Sequence, residues 1–67
     1  MTEEKLFVKD KDIVVPGEVL ATGINYLPGN GTHRMNDKIM ANRLGLLVIE
    51  GKVLKSLPLN GRYLPMR

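Results

Sequence analysis

Apolar residues occur along this chain in short clusters, each closed by glycine, proline or a polar pair. No segment sustains apolar residues at the 3.6 spacing of an amphipathic helix, so the pattern predicts several short strands. Leu6-Phe7-Val8 reads as the first. Ile13-Val14-Val15 reads as the second, closed by Pro16-Gly17, a turn-forming dipeptide. A third runs from Glu18 to Thr22 and stops at Gly23. Residues 25–36 read as a flexible loop centred on Pro28-Gly29-Asn30-Gly31. Lys38 to Leu44 alternates well enough for another strand.

The clearest local signal is a hairpin, with Leu46-Leu47-Val48-Ile49 and Lys52-Val53-Leu54-Lys55 flanking Glu50-Gly51. A two-residue loop ending in Gly predicts the register Ile49 to Lys52, Val48 to Val53, Leu47 to Leu54 and Leu46 to Lys55. Side chains alternate between faces. One face then carries Leu46, Val48, Val53 and Leu57, and the other Leu47, Ile49 and Leu54 with Lys52 at its edge. A half-buried hairpin shows one polar face, and this one shows none. Either a small barrel or sandwich buries both faces, or one of them is a docking surface. The candidate docking residues are Leu47, Ile49 and Leu54. The fold class is all-β, a small curled antiparallel sheet, half-barrel or barrel-sandwich-like.

At 67 residues the chain holds a single domain, and its lack of cysteine removes disulfides, thiolate metal sites and Cys nucleophiles. A domain this small usually needs a staple, which leaves packing against a partner. No apolar run approaches the roughly 18 residues of a membrane span, and no apolar signal core follows the acidic start, so a cytoplasmic protein without membrane contact is expected.

Enzymatic chemistry fails on residue types. His33 is the sole histidine and Ser56 the sole serine, and Ser56 has no elbow glycines around it. Asp10-Lys11-Asp12 lacks the glycine and terminal Glu of a calcium loop and reads as a solvated turn. Gly29-Asn30-Gly31-Thr32-His33-Arg34 begins like a dinucleotide fingerprint, but Arg34 replaces the third glycine. We expect no catalytic residues, metal or cofactor.

Charge divides the chain. Residues 1–33 carry three lysines against five acids, and residues 34–67 carry seven bases against two acids. The candidates for weak RNA contact are Arg34, Lys38, Arg43, Lys52, Lys55 and Arg62, acting mainly on phosphates. Phe7, Tyr26 and Tyr63 are the only aromatic rings, few for base stacking. The closing Asn60-Gly61-Arg62-Tyr63-Leu64-Pro65-Met66 reads as a turn leading into an extended linker.

From Ile13 to Pro65 the chain resembles the N-terminal domain of archaeal exosome RNA-binding cap subunits, of the type with OB-fold and KH domains. The resemblance rests on Val14-Val15-Pro16-Gly17-Glu18, Gly29-Asn30-Gly31-Thr32, Asp37-Lys38-Ile39, Leu44-Gly45-Leu46 and the closing Leu57-Pro58-Leu59-Asn60-Gly61-Arg62-Tyr63-Leu64-Pro65. His33 and Met40 depart from it, standing where aromatic residues are usual. The resemblance implies a non-catalytic module in RNA degradation. It implies docking on a ring of RNase PH-like subunits beside two further cap subunits, around the pore through which RNA passes. It also implies an N-terminal strand and extension over residues 1–12, a docking domain over 13–60, and the start of a linker to an OB-fold domain over 61–67. RNA contacts would come mainly from the downstream domains. Two alternatives remain. One is a biotinyl- or lipoyl-type carrier presenting Lys52, although Gly51-Lys52-Val53 has the neighbours of neither. The other is a stand-alone small β-barrel that binds RNA.

Overall fold

The computed structural model of the protein describes residues 3–59. Eight strands follow one another: β1 (Lys5–Leu6), β2 (Ile13–Val14), β3 (Val19–Thr22), β4 (Leu27–Pro28), β5 (Thr32–Met35), β6 (Lys38–Ala41), β7 (Gly45–Glu50) and β8 (Val53–Pro58). They form two four-stranded sheets, ordered β1-β3-β6-β5 and β2-β7-β8-β4. The fold is all-β, as the pattern predicts, and takes the form of two sheets rather than a closed barrel.

Their inner faces share one core. Leu20 and Ala21 of β3 with Ile39 and Ala41 of β6 meet Val14, Leu47 and Leu54 of the second sheet, with Val8 closing one side. Two adjacent residues of β3 are buried because the strand bulges. The register jumps between Val19 opposite Met40 and Ala21 opposite Ile39, which breaks the alternation at Leu20.

The stretch 25–36 departs most from its expected loop. It contains β4 and the polar strand β5, and β4 lies parallel to β8, with Leu27 beside Val53 and Pro28 beside Leu54. This ladder runs on past the strand. Leu27 N–H donates to Lys52 O (2.8 Å), Gly29 N–H to Leu54 O (2.9 Å) and Ser56 N–H to Asn30 O (2.7 Å). Pro28 falls on the outward side of this edge, where its missing N–H costs no ladder bond. The glycine loop is thus the joint where the chain crosses between sheets. A Cβ on Gly31, whose φ is +79, would lie 2.1 Å from Ser56 O. Only glycine fits a left-handed backbone that close to a neighbouring strand.

Two smaller differences follow from turns. The strand expected over Lys38–Leu44 ends at Ala41, and Asn42 N–H carries the pairing with the β5 side one residue further by donating to Gly31 O (2.8 Å). The hairpin loop is Gly51-Lys52 rather than Glu50-Gly51, pairing Glu50 with Val53, Ile49 with Leu54, Val48 with Lys55, Leu47 with Ser56 and Leu46 with Leu57. Gly51 has φ +62, so the positive φ opens the two-residue loop instead of closing it. The shift moves each partner by two positions. That preserves which residues share a face.

Candidate functional site

The expected docking face turns inward. Leu47 and Leu54 have no exposed surface, and Ile49, partly buried, packs against the same core, so this face turns toward the other sheet. The opposite face of the same hairpin points outward. Ile13, Leu46 and Leu57 form one row across β2, β7 and β8, and Leu27 lies beside Val53. Ile13 and Leu27 are 52% and 49% exposed, while Leu46, Val48, Val53 and Leu57 are half-buried against each other. Val15 and Leu44, 50% and 51% exposed, flank β2 and β7 at the same end. The charged pair on this face is Lys55 and Glu50, at 2.8 Å. The result is an apolar, electrically neutral sheet face.

Among the described residues, the expected RNA-contacting bases do not converge. Arg34 lies opposite Ile39, and its guanidinium donates to the carbonyl oxygens of Tyr26 and Gly23, clamping the chain before β4. Lys52 sits in the hairpin loop and binds Glu4 at 2.7 Å, with its ammonium 4.6 Å from the centre of the Tyr26 ring. That tether argues against a carrier lysine, which must project freely. Lys55 pairs with Glu50 on the apolar face. Arg43 is half-buried beyond β6, and its carbonyl accepts a hydrogen bond from Ser56 Oγ (3.4 Å). Lys38 is exposed on the first sheet, next to Met35 and Thr22. Arg62, with the closing turn and Tyr63, lies outside the described residues.

Sequence reasoning missed a strap at the N-terminus. Glu4 accepts hydrogen bonds from both Lys52 and Asn25 Nδ2 (2.7 Å each), and Glu3 O accepts one from Thr22 Oγ1 (2.7 Å). The Lys52 bond, and after it the Asn25 bond, hold the Glu4 carboxyl below its ordinary 4.5, and Glu4 in turn raises Lys52 above its ordinary 10.5. A second carboxylate substitutes for a strand. Asp10 Oδ1 accepts from Ile49 N–H (2.8 Å) on the edge of β7, and this bond, followed by Lys11, lowers Asp10 below its ordinary 3.8. Neither role has a local signature, because the partners lie 48 and 39 residues away.

Among the described residues, chemistry beyond binding finds no assembled site. Ser56 is fully buried, and His33 Nδ1 meets Asn42 Oδ1, just past the end of the neighbouring strand β6. Among the described residues no three His, Asp or Glu side chains are placed to hold a metal, and no helix is long and apolar enough to cross a membrane.

A family model described as the exosome complex exonuclease RRP4 N-terminal region matches residues 13–50. The exosome complex component Rrp4 of Methanothermus fervidus is 50% identical over 62 residues, which is 92% of this chain and 28% of that protein. Its counterpart in Thermococcus kodakarensis is 42% identical over 92% of this chain and 24% of its own length. That of Methanothermobacter thermautotrophicus is 40% identical over 92% of this chain and 20% of its own length. The chain therefore spans between a fifth and three-tenths of these relatives. With a matching family model over more than half its residues, on an all-β sandwich, the chain belongs to the family of exosome Rrp4 N-terminal regions.

Proposed function

We propose that this chain is the N-terminal module of an archaeal exosome cap subunit, a non-catalytic cytoplasmic component of RNA degradation. In this reading it docks the subunit on a ring of RNase PH-like proteins, beside two further cap subunits, around the pore through which RNA passes. Residues 1–12 form the N-terminal extension and 13–60 the docking domain. Residues 61–67 begin the linker to an OB-fold domain, and the downstream domains make most RNA contacts.

The observation that carries this reading is the outward face of the β2-β7-β8-β4 sheet. Ile13, Leu27, Leu46, Val48, Val53 and Leu57 leave an apolar surface whose charged pair, Lys55 with Glu50, is mutually neutralised. Faces of this kind on small domains are protein contacts more often than solvent surfaces. The names of the relatives, all exosome complex components, supply the assembly. The test is gel filtration of the chain with a reconstituted ring of phosphorolytic subunits. Co-elution at micromolar concentration is expected, and separate elution would overturn the reading.

A further inference from the structure

We propose that the outer face of the β1-β3-β6-β5 sheet is a platform for single-stranded nucleic acid. The pairing registers set its composition. One row across the sheet reads Lys5, Thr22, Lys38 and Met35. The next reads Val19, Met40 and His33, and Phe7 reaches it from the end of β1 through its N–H bond to Leu20 O (2.9 Å). Lys5 and Phe7 share a side, since the ammonium stands 5.8 Å from the ring centre. Phe7 is 53% exposed and Met35 52%, and Lys5 and Lys38 are both exposed. The paired positions of this face hold two lysines and no carboxylate.

The layout suits an extended strand. Lys5 and Lys38 stand two strands apart, about 10 Å, and the soft row of Phe7, Met40 and His33 lies about 7 Å farther along the strands. Phosphates meet the two ammonium groups while bases lie on the Phe7 ring and on the Met40 and His33 side chains. Stacking of that kind accepts any base, because every base has a π-face. A protein partner fits less well, because the lysines interrupt the apolar positions and a dry contact would bury them without acids. The Lys55 ammonium of the other sheet is not equivalent, since Glu50 already neutralises it.

The platform goes beyond the docking reading and uses the opposite sheet, so either can fail alone. The test titrates the ¹⁵N-labelled 67-residue chain with a ten-nucleotide adenine RNA, and with DNA of the same sequence, at two salt concentrations. Amides of β1, β3, β5 and β6 should shift with either nucleic acid. Two phosphate contacts predict a slope of log affinity against log salt of about −1.4 for a single strand, and Lys38→Gln should reduce it to about −0.7. Phe7→Ala should weaken binding roughly tenfold while amide dispersion is retained. If that variant loses its dispersion, the Lys5→Gln, Lys38→Gln double variant carries the test, with the salt dependence abolished. No saturable shift at millimolar strand, shifts confined to β2, β7 and β8, or an unchanged salt slope in Lys38→Gln would overturn the proposal.

Discussion

The two outer faces of this sandwich are built on one core and differ in kind. The β2-β7-β8-β4 face is a continuous apolar surface with its single ion pair neutralised. The β1-β3-β6-β5 face mixes two lysines, Lys5 and Lys38, with soft and aromatic side chains. Bulk charge along the chain gives the opposite impression. The basic half supplies all of β7 and β8, yet the bases of that hairpin, Lys52 in its loop and Lys55 on β8, are both neutralised, while Lys5 of the acidic half stands on the cationic face. Strand register, rather than the count of charges in a segment, decides which face presents a field to solvent.

The largest effect should come from breaking what both faces stand on. Leu54 is wholly buried between the sheets, and Leu54→Ala removes about 2–5 kcal/mol. A core of this size rarely supplies more than about 3–5 kcal/mol in all. The variant should therefore be largely unfolded, seen as loss of the thermal transition by circular dichroism. Both surfaces should vanish together. Gly31→Ala should act at the joint in the same way, because its φ of +79 and the nearby Ser56 carbonyl exclude a side chain. If one surface survived either change while the other failed, the two sheets would be independent units and the comparison between faces would lose its common base.

A more selective change should separate the faces. Leu46 lies at the centre of the row between Ile13 and Leu57, half-buried and outward. Leu46→Glu leaves the core untouched but sets an unpaired carboxylate in the proposed contact. Binding to the ring should weaken by roughly 30-fold or more, the scale of a buried anchor residue. The thermal midpoint should move little. Titration calorimetry against the reconstituted ring checks this, with Lys38→Gln as the mirror variant that leaves ring binding unchanged. Equal losses from both variants would assign docking to the whole surface instead of one sheet.

Much of this architecture was legible in the sequence, and the gaps have physical causes. Short apolar clusters between glycines and prolines predict an all-β fold, and the β7–β8 hairpin follows from Leu46 to Lys55 with its facial sets intact. The direction of each face was not legible, because both sets are equally apolar. Which one turns inward depends on Val14, Leu20 and Ile39, distant in sequence, arriving on one side. β5 was missed for a related reason. Thr32-His33-Arg34-Met35 has no local strand pattern and is ordered by its four partners on β6. Pro28-Gly29-Asn30-Gly31 has the composition of a free loop. Its glycines instead serve close approach to β8, and a single sequence does not distinguish the two uses.

The smallest effect concerns the strap that joins the two layers. Glu4 precedes β1 of one sheet, and Lys52 lies in the loop between β7 and β8 of the other. Glu4 and Asp10 are held below their ordinary values of 4.5 and 3.8. Their contributions are thus complete above those values and fade as pH falls through the lower values of the folded protein. Lys52 is held above 10.5, so its contribution is complete below that pH and fades as pH rises beyond it. Thermal midpoints should therefore fall at both extremes. Lys52→Met should remove the alkaline decline and the larger share of the Glu4 part of the acid decline, leaving the parts due to the Asn25 bond to Glu4 and to Asp10. Because the pair is exposed, the change at neutral pH should be no more than a few degrees, and less at high salt. Neither outer face contains Lys52, so ring binding and nucleic-acid binding should both persist. If Lys52→Met weakened one of them at neutral pH, the strap would belong to that surface, and the boundary between the two faces would have to be redrawn through the hairpin tip.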